Sequence, residues 1–266
     1  MTDSLWVNTA GAVEWVTLNR PEALNAMNAT LVDALVEYFT QLRHRTDVRV
    51  VVLKANGRAF CAGLDMADGG FGLAAGASPQ RIYEGTQKRI GDIYRAMRRC
   101  PQPIIALVHG AACGGGFSLA LAADIRIAGE SAKMNAAYIK IGLGGCDMAS
   151  SYFLPRLVGL SVASELLLTG RFIYAQRALA VNLVSEVVPD DQLEVAAQSY
   201  IDDMLSTAPL GLRMSKDALN LSVDAPSMEA AMAIEDRQQA LLSLTADAGE
   251  AQRAFLEKRP PSFSDR

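Results

Sequence analysis

The spacing of apolar residues changes along the chain. Residues 4–9 and 12–18 are short β-branched or aromatic runs split by Ala10 and Gly11, which predicts a hairpin. The segment 19–27 reads as a loop, since Pro21 holds Arg20 extended. Leu31, Leu35, Phe39 and Leu42 then recur at helical spacing behind Asn28, a good capping residue. They predict a helix to about Arg45 with that face in the core. Residues 48–54 read as a strand. A helix from about Pro79 to Arg99 carries Ile90, Ile93, Tyr94 and Met97 on one face and ends at Pro101 and Pro103. A strand over 103–108, a helix to Ala123 and a strand over 124–128 follow. Helical segments are expected at 149–158, 161–168 and 175–181, with a short strand at 184–188. From Asp190 the pattern is helical, broken at Pro209 and Pro226. Early alternation of strands and helices predicts an α/β class, with a core over 1–190 and a helical C-terminal region over 191–266.

Two glycine-rich stretches interrupt the pattern: Arg58-Ala-Phe-Cys-Ala-Gly-Leu-Asp65 and His109-Gly-Ala-Ala-Cys-Gly-Gly-Gly-Phe117. Each follows an apolar run that reads as a buried strand. Glycine lets a backbone approach a ligand closely. The second stretch runs straight into a helix, so it presents unpaired N–H groups. Two such turns, if they converge, can hold one developing negative oxygen, which is what an oxyanion hole requires. Residues 67–80 are rich in Gly and Ala and read as a loop covering a site; 138–147 is a second such loop.

Composition narrows the classes further. The 266 residues are 50% hydrophobic and 20% charged, enough for a sizeable core. A net charge of −4 without any Lys/Arg run argues against a nucleic-acid partner. Cys61, Cys100, Cys113 and Cys146 show no CxxC spacing, and the two histidines make no ligand pattern with them. These features read as reduced thiols of a cytoplasmic protein, with no metal site. The start Met-Thr-Asp-Ser-Leu lacks the pattern of a signal peptide. The apolar stretch 103–123 contains His109 and several glycines, and reads as a buried strand–turn–helix; no membrane partner is expected.

Six segments, taken in order, resemble the crotonase (enoyl-CoA hydratase/isomerase) superfamily. They are Asn19-Arg-Pro-Glu-Ala-Leu-Asn-Ala, Phe60-Cys-Ala-Gly-Leu-Asp65, Gly110-Ala-Ala-Cys-Gly-Gly-Gly, Ala123-Asp-Ile-Arg-Ile-Ala128, Leu154-Pro-Arg-Leu-Val-Gly159 and Phe255-Leu-Glu-Lys-Arg-Pro. The resemblance implies a spiral of ββα units with a helical C-terminal trimerisation region, assembled as a homotrimer or a dimer of trimers. It implies an acyl-CoA thioester substrate, coenzyme A being part of the substrate and no separate cofactor being needed. The matching oxyanion donors are the N–H groups of Leu64 and Gly115. Ala23, Leu24 and Ala26, with Asn25, match the family's CoA-binding edge, as do Ala62, Gly63 and Asp65. Lys258 resembles a C-terminal lysine that reaches a CoA phosphate, in some members across a subunit interface.

The acid–base residues depart from the pattern of the family's hydratases, which use two glutamates. The matching positions here are Ser118 and Tyr138. Both are poor bases near neutral pH at their usual pKa values. The acid in the neighbourhood is Asp147; dienoyl-CoA isomerases place an aspartate here, and matching them requires one extra residue in the loop. The expectation is a double-bond isomerase with Asp147 as general base and Tyr138 as a pocket wall. Rival readings are a hydratase with a non-standard acid/base set, a C–C hydrolase or lyase, and a catalytically silent acyl-CoA-binding protein. Asp147 also suits the N-cap of the helix that follows. Asp65 suits a loop cap, His109 a structural role, and Cys146 is a weak candidate nucleophile.

Overall fold

Strands β1 (Leu5–Ala10) and β2 (Val13–Leu18) form the expected antiparallel hairpin, turning at Gly11. The structure, a computed structural model, describes residues 3–67 and 78–266; most of the expected 67–80 loop lies outside the described residues. After α1 (Ala29–Gln41), β3 (Val50–Ala55) pairs parallel to β2. Asn28 caps α1 by accepting from the Leu31 N–H. The next helical stretch is α2 (Pro79–Ile82), a π-helical turn (Tyr83–Gln87) and α3 (Lys88–Arg99). Then come β4 (Ile104–Val108), β5 (Ala111–Cys113), α4 (Gly115–Ala122), β6 (Ile125–Gly129) and β7 (Lys133–Asn135). A 3-10 turn (Ala137–Ile141) leads to α5 (Ser150–Thr169), β8 (Ile173–Tyr174), α6 (Ala175–Ala180) and β9 (Glu186–Val188). Four helices end the chain: α7 (Leu193–Leu205), α8 (Pro209–Ser222), α9 (Met228–Ser243) and α10 (Ala246–Glu257).

The larger sheet has the order β1-β2-β3-β4-β6-β9, and every pair after the hairpin is parallel. Parallel strands buried on both faces read as continuous apolar runs, as Val50–Leu53 and Ile104–Val108 do. Val51, Leu53, Ile104 and Ala106 face a core shared with Leu31, Leu35 and Phe39 of α1 and Ile90, Ile93 and Met97 of α3. Val50, Val52, Ile105, Leu107 and Ile127 face Leu193, Ala197 and Ile201 of α7. Burying a leucine or isoleucine contributes about 2 kcal/mol, so α7 is anchored to the sheet.

The smaller sheet, β5-β7-β8, differs from expectation: its first strand lies in the second glycine stretch, which reads as a turn, and no strand is expected at the other two. Its strands run two or three residues, too short to show any alternation. The expected break between two helices near residue 159 is a kink within α5, where Gly159 takes φ 76° and ψ 162°. Among the described helices α5 alone is long and apolar enough to cross a membrane. Here Leu154, Ala163 and Leu166 pack into the core, while Arg156 pairs with Asp224 and Glu165 with Arg171 and Arg177. By contrast, α9 buries no residue, and Leu241, Leu244, Phe255 and Leu256 are exposed at the C-terminal end.

Candidate active site

Three segments remote in sequence lie side by side. The Cys61 N–H donates to Ala111 O and the Cys113 N–H to Cys61 O, at 3.0 and 2.9 Å. On the other side, the Ala62 N–H donates to Leu24 O, the Met27 N–H to Gly63 O and the Asp65 N–H to Met27 O. The first glycine stretch is therefore the middle of a ribbon, flanked by the second stretch and by the 23–27 loop. Asn25 fixes that loop: it is fully buried, at φ 54°, its amide donates to Asn56 O and Ala59 O, and its Oδ1 accepts from the Arg20 N–H. Asparagine tolerates this left-handed conformation better than most residues. Asn25→Ala is expected to cost about 3 kcal/mol through unpaired buried groups and backbone strain. Urea unfolding at unchanged m-value checks this; a loss below about 1 kcal/mol would contradict it.

The close approach depends on missing side chains. A Cβ on Gly63 would lie 2.9 Å from Cys113 O and 3.7 Å from Gly115 N, so the two stretches meet here. A Cβ on Gly116 would lie 2.1 Å from Cys61 O. Gly115 opens α4, with Gly114 before it at φ 49°. Among the described residues neither the Leu64 nor the Gly115 N–H has an acceptor. Cys61, sealed beneath this junction, is an inert thiol whose pKa burial pushes up to about 12.

Beside the junction, Ser118 and Tyr138 are buried with their hydroxyl oxygens 3.4 Å apart. The Tyr94 hydroxyl from α3 lies 3.1 Å from both Gly115 O and Met148 Sδ. Asp147 stands next to this group, and its charge acts on the Tyr94 and Tyr138 hydroxyls. Burial raises the pKa of all three groups. Asp147 does not cap α5: the N-cap position is Ala149, which has no side-chain cap bond. Instead, Asp147 Oδ1 accepts from the Met148 N–H at 2.7 Å and from Gln87 Nε2. The Asp147 N–H donates to Ser150 Oγ. Met148 and Ala149 follow at φ 49° and 63°, left-handed values that are strained for such residues and tend to occur at functional sites. A cavity of about 620 Å³ opens here, lined by Tyr83, Gln87, Tyr94, Met148, Tyr152 and Phe153 among others.

The remaining expected site residues separate clearly. Ala23, Leu24, Ala26, Ala62, Gly63 and Asp65 share the ribbon. Asp65 pairs with Arg20 at 2.8 Å, and Arg20 also donates to Ala26 O, so Asp65 braces the edge. His109 Nε2 meets Gly57 O at 2.8 Å, a structural contact. Cys146 is exposed and free. Lys258 follows α10, exposed, with no hydrogen bond or ion pair to the ribbon. Sequence reading assigned no site role to Arg20, Gln87 or Tyr94. Arg20 lies inside the Asn19–Ala26 motif, and Tyr94 falls on the expected core face. Gln87 carries no local signal, because its partner lies 60 residues away.

The chain matches the enoyl-CoA hydratase/isomerase family over residues 8–266. It belongs to that family. Members are enzymes acting on CoA thioesters, and the fold is the crotonase fold. A Mycobacterium tuberculosis protein named "Probable enoyl-CoA hydratase EchA12" is 40% identical over 252 residues, covering 94% of this chain and 88% of its own. The 1,2-epoxyphenylacetyl-CoA isomerase of Escherichia coli is 34% identical over 254 residues, covering 94% of each chain. The crystal structure of an enoyl-CoA hydratase from Bacillus anthracis superposes with a TM-score of 0.91 at 30% identity, covering 99% of this chain and 100% of that one. The family thus contains both hydratase and isomerase names among relatives similar along nearly the whole chain.

Proposed function

We propose that this family member is a double-bond isomerase of acyl-CoA thioesters, with Asp147 as general base. The observation that carries the reading is the exchange of acids. The positions where the family's hydratases use glutamate hold the Ser118–Tyr138 hydroxyl pair, and a carboxylate stands beside them at Asp147. The thioester oxygen would sit between the Leu64 and Gly115 N–H groups. Asp147 takes a proton from a carbon next to the thioester carbonyl, or conjugated with it; the C–H electrons enter a new C=C bond, and the carbonyl oxygen becomes an enolate oxygen held by the two donors. The carboxylic acid then returns the proton to another carbon of the same chain. Burial favours this role, since a raised pKa brings the carboxylate closer to a useful proton-transfer range.

The ribbon residues Ala23, Leu24, Ala26, Ala62, Gly63 and Asp65 would form the CoA edge. The cavity beside Asp147, walled by Tyr94, Tyr152 and Phe153, has room for a bulky acyl group. Lys258 is exposed and makes no hydrogen bond or ion pair to its own ribbon, which fits a role on a neighbouring subunit's CoA phosphate in a homotrimer or dimer of trimers. The exposed apolar residues of the C-terminal helices fit such an assembly, and the four free cysteines fit a reducing cytoplasm.

A hydratase is the second reading, favoured by the names of relatives and by a hydroxyl pair able to hold a water. A panel of β,γ-enoyl-, α,β-enoyl- and dienoyl-CoA esters in deuterated water separates the two. Isomerisation is expected to leave the product mass unchanged apart from deuterium label. Addition of a whole water to an α,β-enoyl-CoA, without isomerisation of its β,γ isomer, would sink the isomerase reading.

A further inference from the structure

Asp147 has two carboxylate oxygens, and the structure treats them differently. Oδ1 accepts the Met148 N–H at 2.7 Å and the Gln87 amide, whereas Oδ2 has no hydrogen-bond donor among the described residues. Gln87 reaches across from another element. It is the last residue of the π-helical turn between α2 and α3, and its side chain is exposed except for this bond. A π-turn inserts an extra residue into a helix and commonly marks functional sites. Here it ends on the residue that meets the carboxylate, while Tyr94, two turns further along α3, meets Met148 and Gly115. One helix thereby touches both the acid and Gly115, the residue whose N–H is proposed to hold the enolate.

We propose that Gln87 is a positioning residue: together with the Met148 N–H it holds Oδ1 of Asp147, and Oδ2 is the oxygen that carries the proton. This rests on Asp147 being the base. The bond fixes the carboxylate plane in place of a freely rotating group, and leaves the lone pairs of Oδ2 for the substrate proton. It also favours the charged form, because the amide donates to the carboxylate and not to the neutral acid. The other titratable groups facing Asp147 are Tyr94 from α3, Tyr138 from the 3-10 turn and Cys146 from its own loop. Lys88 and Arg95, across the cavity, are paired with Glu84 and Asp92. None of these groups replaces the Gln87 contact.

Gln87→Leu removes the donor; Gln87→Glu keeps the shape and substitutes an acceptor of like charge. Gln87 is exposed, so both variants should fold. The test uses isomerisation of a β,γ-enoyl-CoA ester across pH and, in the free protein, a carbon-13 NMR titration of the Asp147 carboxyl, assigned by its absence in Asp147→Asn. In both variants the acid limb of kcat/KM and the carboxyl titration should move to higher pH, further for Gln87→Glu. On the plateau kcat should fall on the order of tenfold with KM within about twofold. If neither limb nor titration moves in either variant, Gln87 does not position or tune the acid, whatever happens to kcat. Asp147→Asn in parallel separates the two ideas: turnover surviving there removes the base itself, whereas turnover lost there with both Gln87 titrations unmoved overturns only the role of Gln87.

Discussion

Asp147→Asn should lower turnover by about 10³-fold, in the range general-base catalysis supplies, and leave acyl-CoA affinity nearly unchanged. Asparagine keeps the size and can still meet the Gln87 and Met148 donors through its amide oxygen. It cannot take a proton. Substrate grip should persist, because the ribbon makes its hydrogen bonds through main chain that the substitution does not touch. Calorimetric titration with a non-reactive acyl-CoA, set beside steady-state kcat, reads the two effects separately. Turnover within about tenfold of the wild type would remove Asp147 from the chemistry. The variant should also be the more stable protein at neutral pH. Burial raises the folded-state pKa of Asp147 above its unfolded value. Its stabilising share is therefore complete in acid and is lost as pH rises through the folded pKa. Removing the charge restores that share near neutrality and changes little in acid, which thermal melts at the two pH values would show.

The second large effect is expected from a single methyl group. Gly116→Ala would put a Cβ 2.1 Å from Cys61 O, with Cys61 Cβ also within 2.7 Å. These are main-chain and sealed-core atoms, so the two stretches must move apart. Cys61 O is also the acceptor of the Cys113 N–H, and this bond would be strained first. Overpacking should cost about 1–3 kcal/mol of stability. Misplacing one donor should lower kcat by about 10²–10³, with a smaller change in KM. Gly144→Ala is the control, since a Cβ there meets nothing within 4 Å. A folded Gly116→Ala enzyme with wild-type kcat would show that the junction does not hold the reacting oxygen. Leu64→Ala, by contrast, leaves the donor in place, because a backbone N–H is indifferent to its side chain.

How much of this could be read beforehand follows from range. The hairpin, α1 and the buried strands rest on local periodicity, and Val50–Leu53 and Ile104–Val108 declare themselves as apolar runs. The kink in α5 was visible as an expected helix break because Gly159 interrupts the pattern. The smaller sheet was not visible: Ala111–Cys113 is extended because Cys61 and Lys133–Asn135 lie alongside, not because of its own residues. The π-turn at Tyr83–Gln87 has no compositional mark either. Asp147 could be found as the acid left in the neighbourhood, but its cap role could not be dismissed without knowing that α5 begins at Ser150. The pairing of Gln87 with Asp147 depends on two elements meeting in space.

The junction also bears on how such an enzyme diversifies. Its geometry is written in glycine spacing and main-chain hydrogen bonds, whereas Ser118, Tyr138 and the proposed base Asp147 hang on separate elements. Cargo and reagent are therefore inherited on separate terms. On the proposed reading, exchange of a carboxylate at any of those three places would change what is done to a thioester without changing whether it is held. A lineage keeping Phe60–Asp65 and Gly110–Gly116 intact would then be free to drift between reactions while keeping its hold on the cargo.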